Sequence, residues 1–237
     1  MYISINGYCN ICQKNVIFQS ETEWLRDNFK CGNCKSIPRE IALMRVIETY
    51  YPNFRMLLIH ESSPANRGVS SKLKAECPGY VGTQFFSDVK LGEYKNNVRC
   101  ENLESLTYKN NEFDLHITQD VMEHVFDTPK AFSEINRTLK PGGAHIFTVP
   151  LVKRVVPSEL RAKRDEFGYV VHLLPEVYHG NPVSNNGSLV VTDWRYDICR
   201  YIFEETGSFS QHIIIDDLHA GIRAELIDVI LTRKNNN

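Results

Sequence analysis

The stretch at residues 113–150, FDLHITQDVMEHVFDTPKAFSEINRTLKPGGAHIFTVP, decides the fold of this chain. Its first part, 113–120, is a short apolar run that predicts a buried strand. The next part, 128–140, has apolar residues at helical spacing and predicts a helix. The Pro-Gly-Gly sequence at 141–143 predicts the end of that helix, and 144–150 returns as a second strand. A strand, a helix and a strand in this order predict parallel neighbours in one sheet.

The predicted helix carries the signals of a helix start. Thr128 is a suitable cap, and Pro129 suits the first helical position. Its apolar face consists of Phe132, Ile135 and Leu139. A helix with one apolar face is expected to lie against the sheet.

The same alternation of strand and helix runs from residue 54 to the end of the chain. The further predicted strands are 54–61, 80–86, 97–103, 210–218 and 224–233. The further predicted helices are 68–77 and 193–207. This alternation predicts an α/β fold with a doubly wound, mostly parallel sheet, and ligands of such sheets bind at the carboxyl ends of the strands.

Four of the seven cysteines form two CxxC pairs, Cys9 with Cys12 and Cys31 with Cys34, separated by eighteen residues. Each pair can direct two thiolates at one tetrahedral zinc ion. A site of four cysteines has no open coordination position, so the zinc is expected to be structural. The alternative is a set of redox-active or simply buried thiols.

The chain divides into three predicted segments. Residues 1–36 form the zinc ribbon, whose folding depends on the metal because the segment has little core of its own. Residues 37–53 form a connecting helix, and residues 54–237 form the α/β domain. An irregular insertion at about 151–192 interrupts that domain.

Composition limits the class of protein. The chain has 237 residues, 42% of them hydrophobic and 24% charged, with a formal net charge of -2, which is typical of a soluble globular protein. This charge provides no net attraction to nucleic acid or anionic lipid. The sequence has no apolar run of about 18 residues and no signal-peptide core, so we expect a cytoplasmic location and no membrane partner. The oligomeric state is not indicated.

Residues 102–150 resemble the second half of a class I S-adenosylmethionine-dependent methyltransferase of the methyltransferase type 11 kind. A polar residue precedes a Leu-Thr-Tyr turn, FD at 113–114 opens the fourth strand, EH follows at 123–124, and LKPGG at 139–143 leads into the fifth strand. The resemblance covers residues 54–150 in detail and implies a Rossmann-like, seven-stranded sheet. The amino-terminal ribbon is similar to those attached to some methyltransferases of sugar biosynthesis and to some that act on ribosomal RNA.

The resemblance implies that S-adenosylmethionine is held by the loops after the first four strands. After strand one the family has an acidic residue and several glycines, whereas this chain has ESSPANRG at 61–68. Glu61 is expected to attract the sulfonium or amino group of the cofactor. Ser62 and Ser63 are small enough to permit a close approach, and Gly68 is the first glycine of the loop.

Two further positions depart from the family. Gln84 stands where an acid commonly binds the ribose hydroxyls, and Asn102 stands where an aspartate often contacts the adenine amine. Leu103 is expected to pack on the adenine ring. Either this is a divergent branch that holds the same cofactor with amides and serines, or the site has decayed and the fold serves binding.

Polar residues follow strand four, where the methyl group and the acceptor are expected to meet. Gln119 is a predicted cofactor contact, and Asp120 and His124 are predicted catalytic residues. The alternatives are a helix cap for Asp120, a favourable first-turn charge for Glu123 and simple packing for His124.

The insertion at about 151–192 is expected to determine the acceptor. Within its YHGNP sequence, Tyr178 and His179 are predicted to form a lid edge or to supply a base, the alternative being a turn with an exposed histidine. The basic run at 153–164 suggests a phosphate or carboxylate on the substrate, although a solvated loop explains it equally well. Groups that could grip a polar substrate are Arg161, Arg164, His172, Tyr178, His179 and Asn181.

The sequence therefore predicts a zinc-ribbon methyltransferase that uses S-adenosylmethionine and acts on a small polar acceptor. A sugar, a nucleotide sugar or another precursor of surface glycans or secondary metabolites fits this prediction. One alternative is an RNA methyltransferase that reads RNA through the ribbon, which the acidic balance disfavours. The other is a noncatalytic binding protein with a degenerate pocket.

Overall fold

The amino-terminal part of the chain is a small antiparallel sheet followed by a helix. The computed structural model describes residues 2–181 and 184–236. The small sheet has the order β1 (Ile3–Cys9), β2 (Lys14–Ser20) and β3 (Lys30–Cys31), with the short helix α1 (Leu25–Asn28) before β3. Helix α2 (Pro38–Tyr50) follows, within the connecting helix predicted at 37–53, and begins at a proline, which suits the first turn of a helix.

The α/β part begins with alternating strands and helices. Its elements up to the insertion are β4 (Ile59–Ser62), α3 (Gly68–Glu76), β5 (Tyr80–Gln84), β6 (Tyr94–Lys95), β7 (Val98–Cys100), β8 (Phe113–Gln119), α4 (Thr128–Thr138) and β9 (Leu139–Thr148). Single turns of 3-10 helix lie at Phe54–Met56 and Met122–His124.

The predicted irregular insertion contains short antiparallel strand pairs joined by loops. Its strands are β10 (Glu159–Leu160), β11 (Ala162–Arg164), β12 (Val170–His172), β13 (Tyr178–Asn181), β14 (Ser184–Leu189) and β15 (Thr192–Asp193). They pair as β10 with β15, β11 with β12 and β13 with β14. Residues 182 and 183 of the predicted insertion, and the side chains of 181–186, lie outside the described part.

The chain ends with α5 (Ile198–Thr206), β16 (Ser210–Ile213), a 3-10 turn at Leu218–Ala220 and β17 (Val229–Arg233). The central sheet has the order β16-β17-β9-β8-β4-β5-β7-β6. Strands β9, β8, β4, β5 and β7 run parallel, whereas β17 is antiparallel to both of its neighbours. This mixed sheet confirms the predicted Rossmann-like fold, with the two-residue strand β6 added at one edge.

Two details of the deciding stretch differ from expectation. Helix α4 is capped by Asp127, whose carboxylate accepts a hydrogen bond from the amide of Lys130 at 3.1 Å, and Thr128 is the first helical residue. The Pro-Gly-Gly sequence lies within β9. The amide of Gly142 donates to the carbonyl of Lys234 at 3.1 Å, so the segment that follows β17 pairs with this part of the chain and extends β9.

Two apolar layers cover the central sheet. Helix α2 packs on β9, β17 and α3, whereas α4 and α5 pack together on β9 and β16. The first layer joins the amino-terminal sheet to the main sheet, because Phe18 and Phe29 belong to the same buried cluster as Ile59 and Leu115. The ribbon segment therefore shares a core with the α/β part.

Glycine allows the ribbon segment to approach the main domain closely. A Cβ atom at Gly7 would lie 1.7 Å from the backbone oxygen of His219. Any residue other than glycine at position 7 would therefore collide with the 3-10 turn at Leu218–Ala220. The Nδ1 atom of His219 forms a hydrogen bond with the carbonyl of Asn6 at 3.0 Å. Backbone contact of this kind fixes the small sheet against the larger one.

Within residues 2–181 and 184–236, none of the helices combines the length and hydrophobicity that a membrane span requires.

Candidate active site

A cavity of about 900 Å³ lies at the carboxyl ends of β4, β5, β7 and β8. The loops after these strands form its floor, and the ribbon segment and the insertion form its walls. The predicted site residues that line it are Ser62, Ser63, Gln84, Asn102, Leu103, Gln119, Asp120, His124 and His179. The described lining residues do not include Glu61, Gly68 or Tyr178.

The loop after β4 turns without a glycine. Ser63 has a φ of 55°, in the left-handed region, and its amide donates to the carbonyl of Thr83 at 2.7 Å. This conformation is the one that glycine adopts most easily. Ser62 beside it is buried and also faces the cavity. A serine therefore makes the turn that lets the backbone approach a ligand.

Gly68 allows two helices to pack closely and does not line the cavity. It begins α3 with a φ of 60°, and a Cβ atom there would lie 2.4 Å from a carboxylate oxygen of Glu40 in α2. The absence of a side chain allows α3 to pack against α2, away from the cavity.

Glu61 is completely buried behind the cavity. Its carboxylate accepts hydrogen bonds from the hydroxyls of Ser70 and Tyr80 and from the amide of Gln119, each at 2.7 Å. Burial raises the pKa of Glu61, and these three hydrogen bonds oppose that shift. The residue thus joins β4, α3, β5 and β8 and orients the Gln119 side chain.

The next two loops supply amide groups and an apolar wall. Gln84 ends β5 at the cavity, and Leu103 is buried with one edge facing it. The side-chain oxygen of Asn102, which was expected to contact the adenine amine, accepts a hydrogen bond from the backbone amide of Glu104 at 3.0 Å. The neighbouring Glu101 is paired with Arg99 at 2.8 Å and is not available to a ligand.

Asp120, directly after β8, forms ion pairs with two arginines of the amino-terminal segment. Its Oδ2 atom lies 2.5 Å from Nη2 of Arg26 and 3.2 Å from Nη1 of Arg39, and its Oδ1 atom accepts from the hydroxyl of Thr148 at 3.0 Å. Burial favours a higher pKa for Asp120, but the two arginines outweigh it and hold the pKa below its ordinary value. This carboxylate is a poor general base because it is ionised and fully paired.

The single turn at Met122–His124 fixes the insertion. The carbonyl of Met122 accepts from the indole of Trp194 at 3.1 Å, and the carbonyl of Glu123 accepts from the amide of Val191 at 2.7 Å. Nδ1 of His124 bonds the carbonyl of Leu189 at 2.8 Å. These three bonds hold the end of β14 and the segment after it at the cavity.

His179 and Tyr178 occupy opposite faces of β13. In β13, Tyr178 pairs with Leu189 and His179 pairs with Ser188 of β14. Because successive side chains of a strand alternate, His179 faces the cavity and its ring meets that of His124 at a centroid distance of 5.4 Å. Tyr178 is exposed and donates to Glu176 at 2.7 Å.

The four predicted zinc ligands converge. Sγ of Cys9 lies 3.7 Å from Sγ of Cys34, and Sγ of Cys12 lies 3.8 Å from Sγ of Cys31. Four sulfurs at about 2.3 Å from one tetrahedral ion are separated by about 3.8 Å. The cluster therefore fits a structural zinc ion, which agrees with the predicted ribbon.

Several lining residues were not predicted from the sequence. Trp24, Arg26 and Arg39 come from the amino-terminal segment, and Phe85 and Phe126 come from loops after β5 and β8. No motif marks these five residues, since each reaches the cavity only through the docking of a separate segment. Arg164, which the sequence predicts as a group that could grip a polar substrate, also lines the cavity, and its guanidinium stacks on Phe126 at 4.4 Å.

Comparison with known proteins agrees with the predicted resemblance to S-adenosylmethionine-dependent methyltransferases. Residues 83–147 match the family described as methyltransferase domain. No curated protein sequence matches the chain. An S-adenosylmethionine-dependent methyltransferase from Mesorhizobium loti has a similar structure, with a TM-score of 0.52, 13% identity, and coverage of 83% of this chain and 98% of that one.

A second similar structure comes from Haloferax volcanii, in a complex between the Trm112 methyltransferase activator and a protein assigned as a methyltransferase. Its TM-score is 0.52 at 13% identity, and the match covers 84% of this chain and 91% of that one. Residues 83–147 thus resemble a methyltransferase domain, and the chain has the fold of the similar S-adenosylmethionine-dependent methyltransferase.

Proposed function

We propose that this protein transfers the methyl group of S-adenosylmethionine to a small polar acceptor such as a sugar or a nucleotide sugar. The observation that carries the proposal is the cavity at the carboxyl ends of β4, β5, β7 and β8, which has the insertion on one side and His124 and His179 at its rim. This position is where ligands of doubly wound sheets bind.

The cavity has the groups that the cofactor requires. Leu103 supplies an apolar wall for a base, and Gln84 supplies a side-chain amide suited to ribose hydroxyls. Ser62 and Ser63 allow a close backbone approach on the side of β4. When bound there, S-adenosylmethionine supplies a methyl group on a sulfonium, and the protein has to orient the acceptor and exclude water.

The acceptor side of the cavity is polar and partly cationic. Arg164 lines it, whereas Arg161 is paired with Asp193 at 2.7 Å and also bonds the carbonyl of Pro175. Arg164 is therefore the residue of the basic run that can meet a phosphate or carboxylate of the acceptor. His124 and His179 are the cavity groups suited to handle a hydroxyl proton.

Calorimetric titration with S-adenosylmethionine tests the cofactor, and release of S-adenosylhomocysteine in the presence of polar acceptors tests the reaction. We expect binding of one cofactor per chain and turnover with a hydroxylated acceptor of low molecular weight. Turnover with RNA alone would favour the RNA methyltransferase alternative. Absence of cofactor binding would contradict the proposal and favour a binding protein.

The variant His179→Gln separates the two functions of the cavity. We expect unchanged affinity for S-adenosylmethionine and a lower turnover number, because His179 lies on the insertion and away from the loops after β4 and β5. Equal turnover in the variant and the natural protein would show that His179 has no catalytic role.

A further inference from the structure

A buried carboxylate at the rim of the cavity has no hydrogen-bond donor. The side chain of Glu123 is 2% exposed, and neither of its oxygens accepts a hydrogen bond from any residue that the structure describes. A buried carboxylate without a partner is costly, because desolvation is not compensated. The nearby Arg26 is already paired with Asp120. Something else is needed to offset the charge of Glu123.

Two imidazole nitrogens face this carboxylate. Oε1 of Glu123 lies 3.5 Å from Nδ1 of His179 and 3.8 Å from Nε2 of His124. All three ligand atoms lie within 4.8 Å of one another. The separations are too long for direct hydrogen bonds of normal strength. They leave room for an atom between the three groups.

The tautomer of His124 is fixed by its other nitrogen. Nδ1 lies 2.8 Å from the carbonyl oxygen of Leu189, and a carbonyl can only accept, so Nδ1 carries the hydrogen. Nε2 then presents a lone pair on the side of Glu123. A histidine whose second nitrogen donates to a backbone carbonyl is the usual arrangement of a metal ligand.

The distances agree with a shared metal ion. Ligands about 2.1 Å from a tetrahedral centre are separated by about 3.4 Å. The 3.5 Å between Glu123 and His179 is close to this value, and the 3.8 Å between Glu123 and His124 is a few tenths of an ångström longer. Small shifts of the two partly exposed imidazoles toward Glu123 would bring all three groups to one ion. We propose that Glu123, His124 and His179 bind a divalent transition-metal cation at the rim of the cavity.

The nature of the ligands defines the ion. Two imidazoles and one carboxylate suit Zn²⁺ and other divalent first-row metals, and they leave at least one coordination position open. His124 and His179 both line the cavity, so an open position faces the space assigned to the acceptor. This role depends on the proposed function, and it implies that the histidines act on the acceptor hydroxyl through the metal. Metal binding itself can be measured without turnover.

The experiment is a zinc count by native mass spectrometry in the presence of excess zinc acetate. We expect two zinc ions per natural chain, one in the cysteine cluster and one at Glu123. The variants Glu123→Gln and His179→Gln are expected to retain one zinc ion, while Cys12→Ser is expected to retain only the zinc at Glu123. The matched control is His172→Gln, which removes a histidine of the same insertion that pairs with Glu176 at 3.3 Å and does not line the cavity. The control should still bind two.

A natural chain that binds only one zinc ion, lost in Cys12→Ser, would overturn the inference. A second zinc ion that persists in both Glu123→Gln and His179→Gln would also overturn it, because the ion would then lie elsewhere. Titration of the same variants with S-adenosylmethionine reports the cofactor separately. Failure of that titration in the natural chain would count against the proposed function and leave the zinc count to decide the metal site.

Discussion

The guanidinium of Arg26 donates a hydrogen bond to the carboxylate of Asp120, and this contact joins the ribbon segment to the end of β8. The two residues are 94 positions apart in the chain. Arg39, at the start of α2, pairs with the same carboxylate. The amino-terminal segment is therefore part of the wall of the cavity as well as a metal-binding unit.

Arg26→Gln should lower the free energy of unfolding by about 2 kcal/mol, because a buried carboxylate loses one of its two cations. Urea unfolding measures the change. The control is Arg223→Gln, which breaks an exposed pair with Asp216 and should change the free energy of unfolding far less, because solvent screens that pair. Equal losses in the two variants would show that the buried pair of Arg26 and Asp120 contributes no more to stability than an exposed ion pair.

Cys12→Ser should remove the zinc ion of the ribbon and destabilise the amino-terminal sheet, because the metal contributes to the folding of a segment with little core. Zinc content and the thermal melting temperature are the measurements. Cys199→Ser, at a cysteine outside the cluster, should leave both unchanged. Full zinc retention in Cys12→Ser would contradict a site of four cysteines.

Glu61→Ala should lower the free energy of unfolding by about 3 kcal/mol, because the donors on Ser70, Tyr80 and Gln119 lose their common buried acceptor. Urea unfolding again reports the effect, with Glu21→Ala at an exposed position as the control. If Glu61→Ala instead weakened cofactor binding and left stability unchanged, Glu61 would have to contact the ligand directly.

Gln84→Ala should weaken the binding of S-adenosylmethionine by about 1 kcal/mol, roughly fivefold, through the loss of one hydrogen bond to the ligand. Stability should change little, since the amide lies at the cavity and at the end of β5. Calorimetry compares it with Gln19→Ala in the exposed face of β2. Identical affinities would place the ribose elsewhere.

Three buried histidines predict a loss of stability in acid. Burial, aided by Arg99, lowers the pKa of His60 to about 3, and burial, aided by His60, lowers that of His145 to about 3. Burial and both of these histidines also lower the pKa of His116. All three are hydrogen-bonded within the sheet, His60 to His116 at 2.8 Å and His145 to Thr118 at 3.0 Å.

The free energy of unfolding decreases in acid because the unfolded chain binds more protons than the folded chain. Between the ordinary value of 6.5 and about 3, the unfolded chain binds protons that the folded chain excludes. The stabilisation is complete above pH 6.5 and falls by about 1.4 kcal/mol per pH unit for each histidine as the pH decreases. Urea unfolding at several pH values should show a shallower dependence in His145→Gln than in the natural chain. The exposed control His172→Gln should keep the natural slope, and an unchanged slope in His145→Gln would contradict the prediction.

Much of the fold is predictable because it rests on local patterns. The strand predicted at 113–120 and the helix predicted at 128–140 agree with β8 and α4 to within a residue or two. The limits of other elements are less well predicted, as the strand expected at 54–61 begins at Ile59 after a 3-10 turn. Pro-Gly-Gly was expected to end a helix, but pairing with the segment after β17 makes it part of a strand.

The amino-acid sequence by itself determined the alternation of strands and helices, the four cysteines and the polar residues at the ends of β4, β5 and β8. Each of these depends on residues close together in the chain, where spacing reports periodicity and side-chain chemistry directly. Only the tertiary structure decided that Arg26 and Arg39 form ion pairs with Asp120, that Glu61 is buried, and that His179 lies next to Glu123. These contacts form only when segments that are distant in sequence dock on one sheet, and the spacing of residues within a segment does not predict that docking.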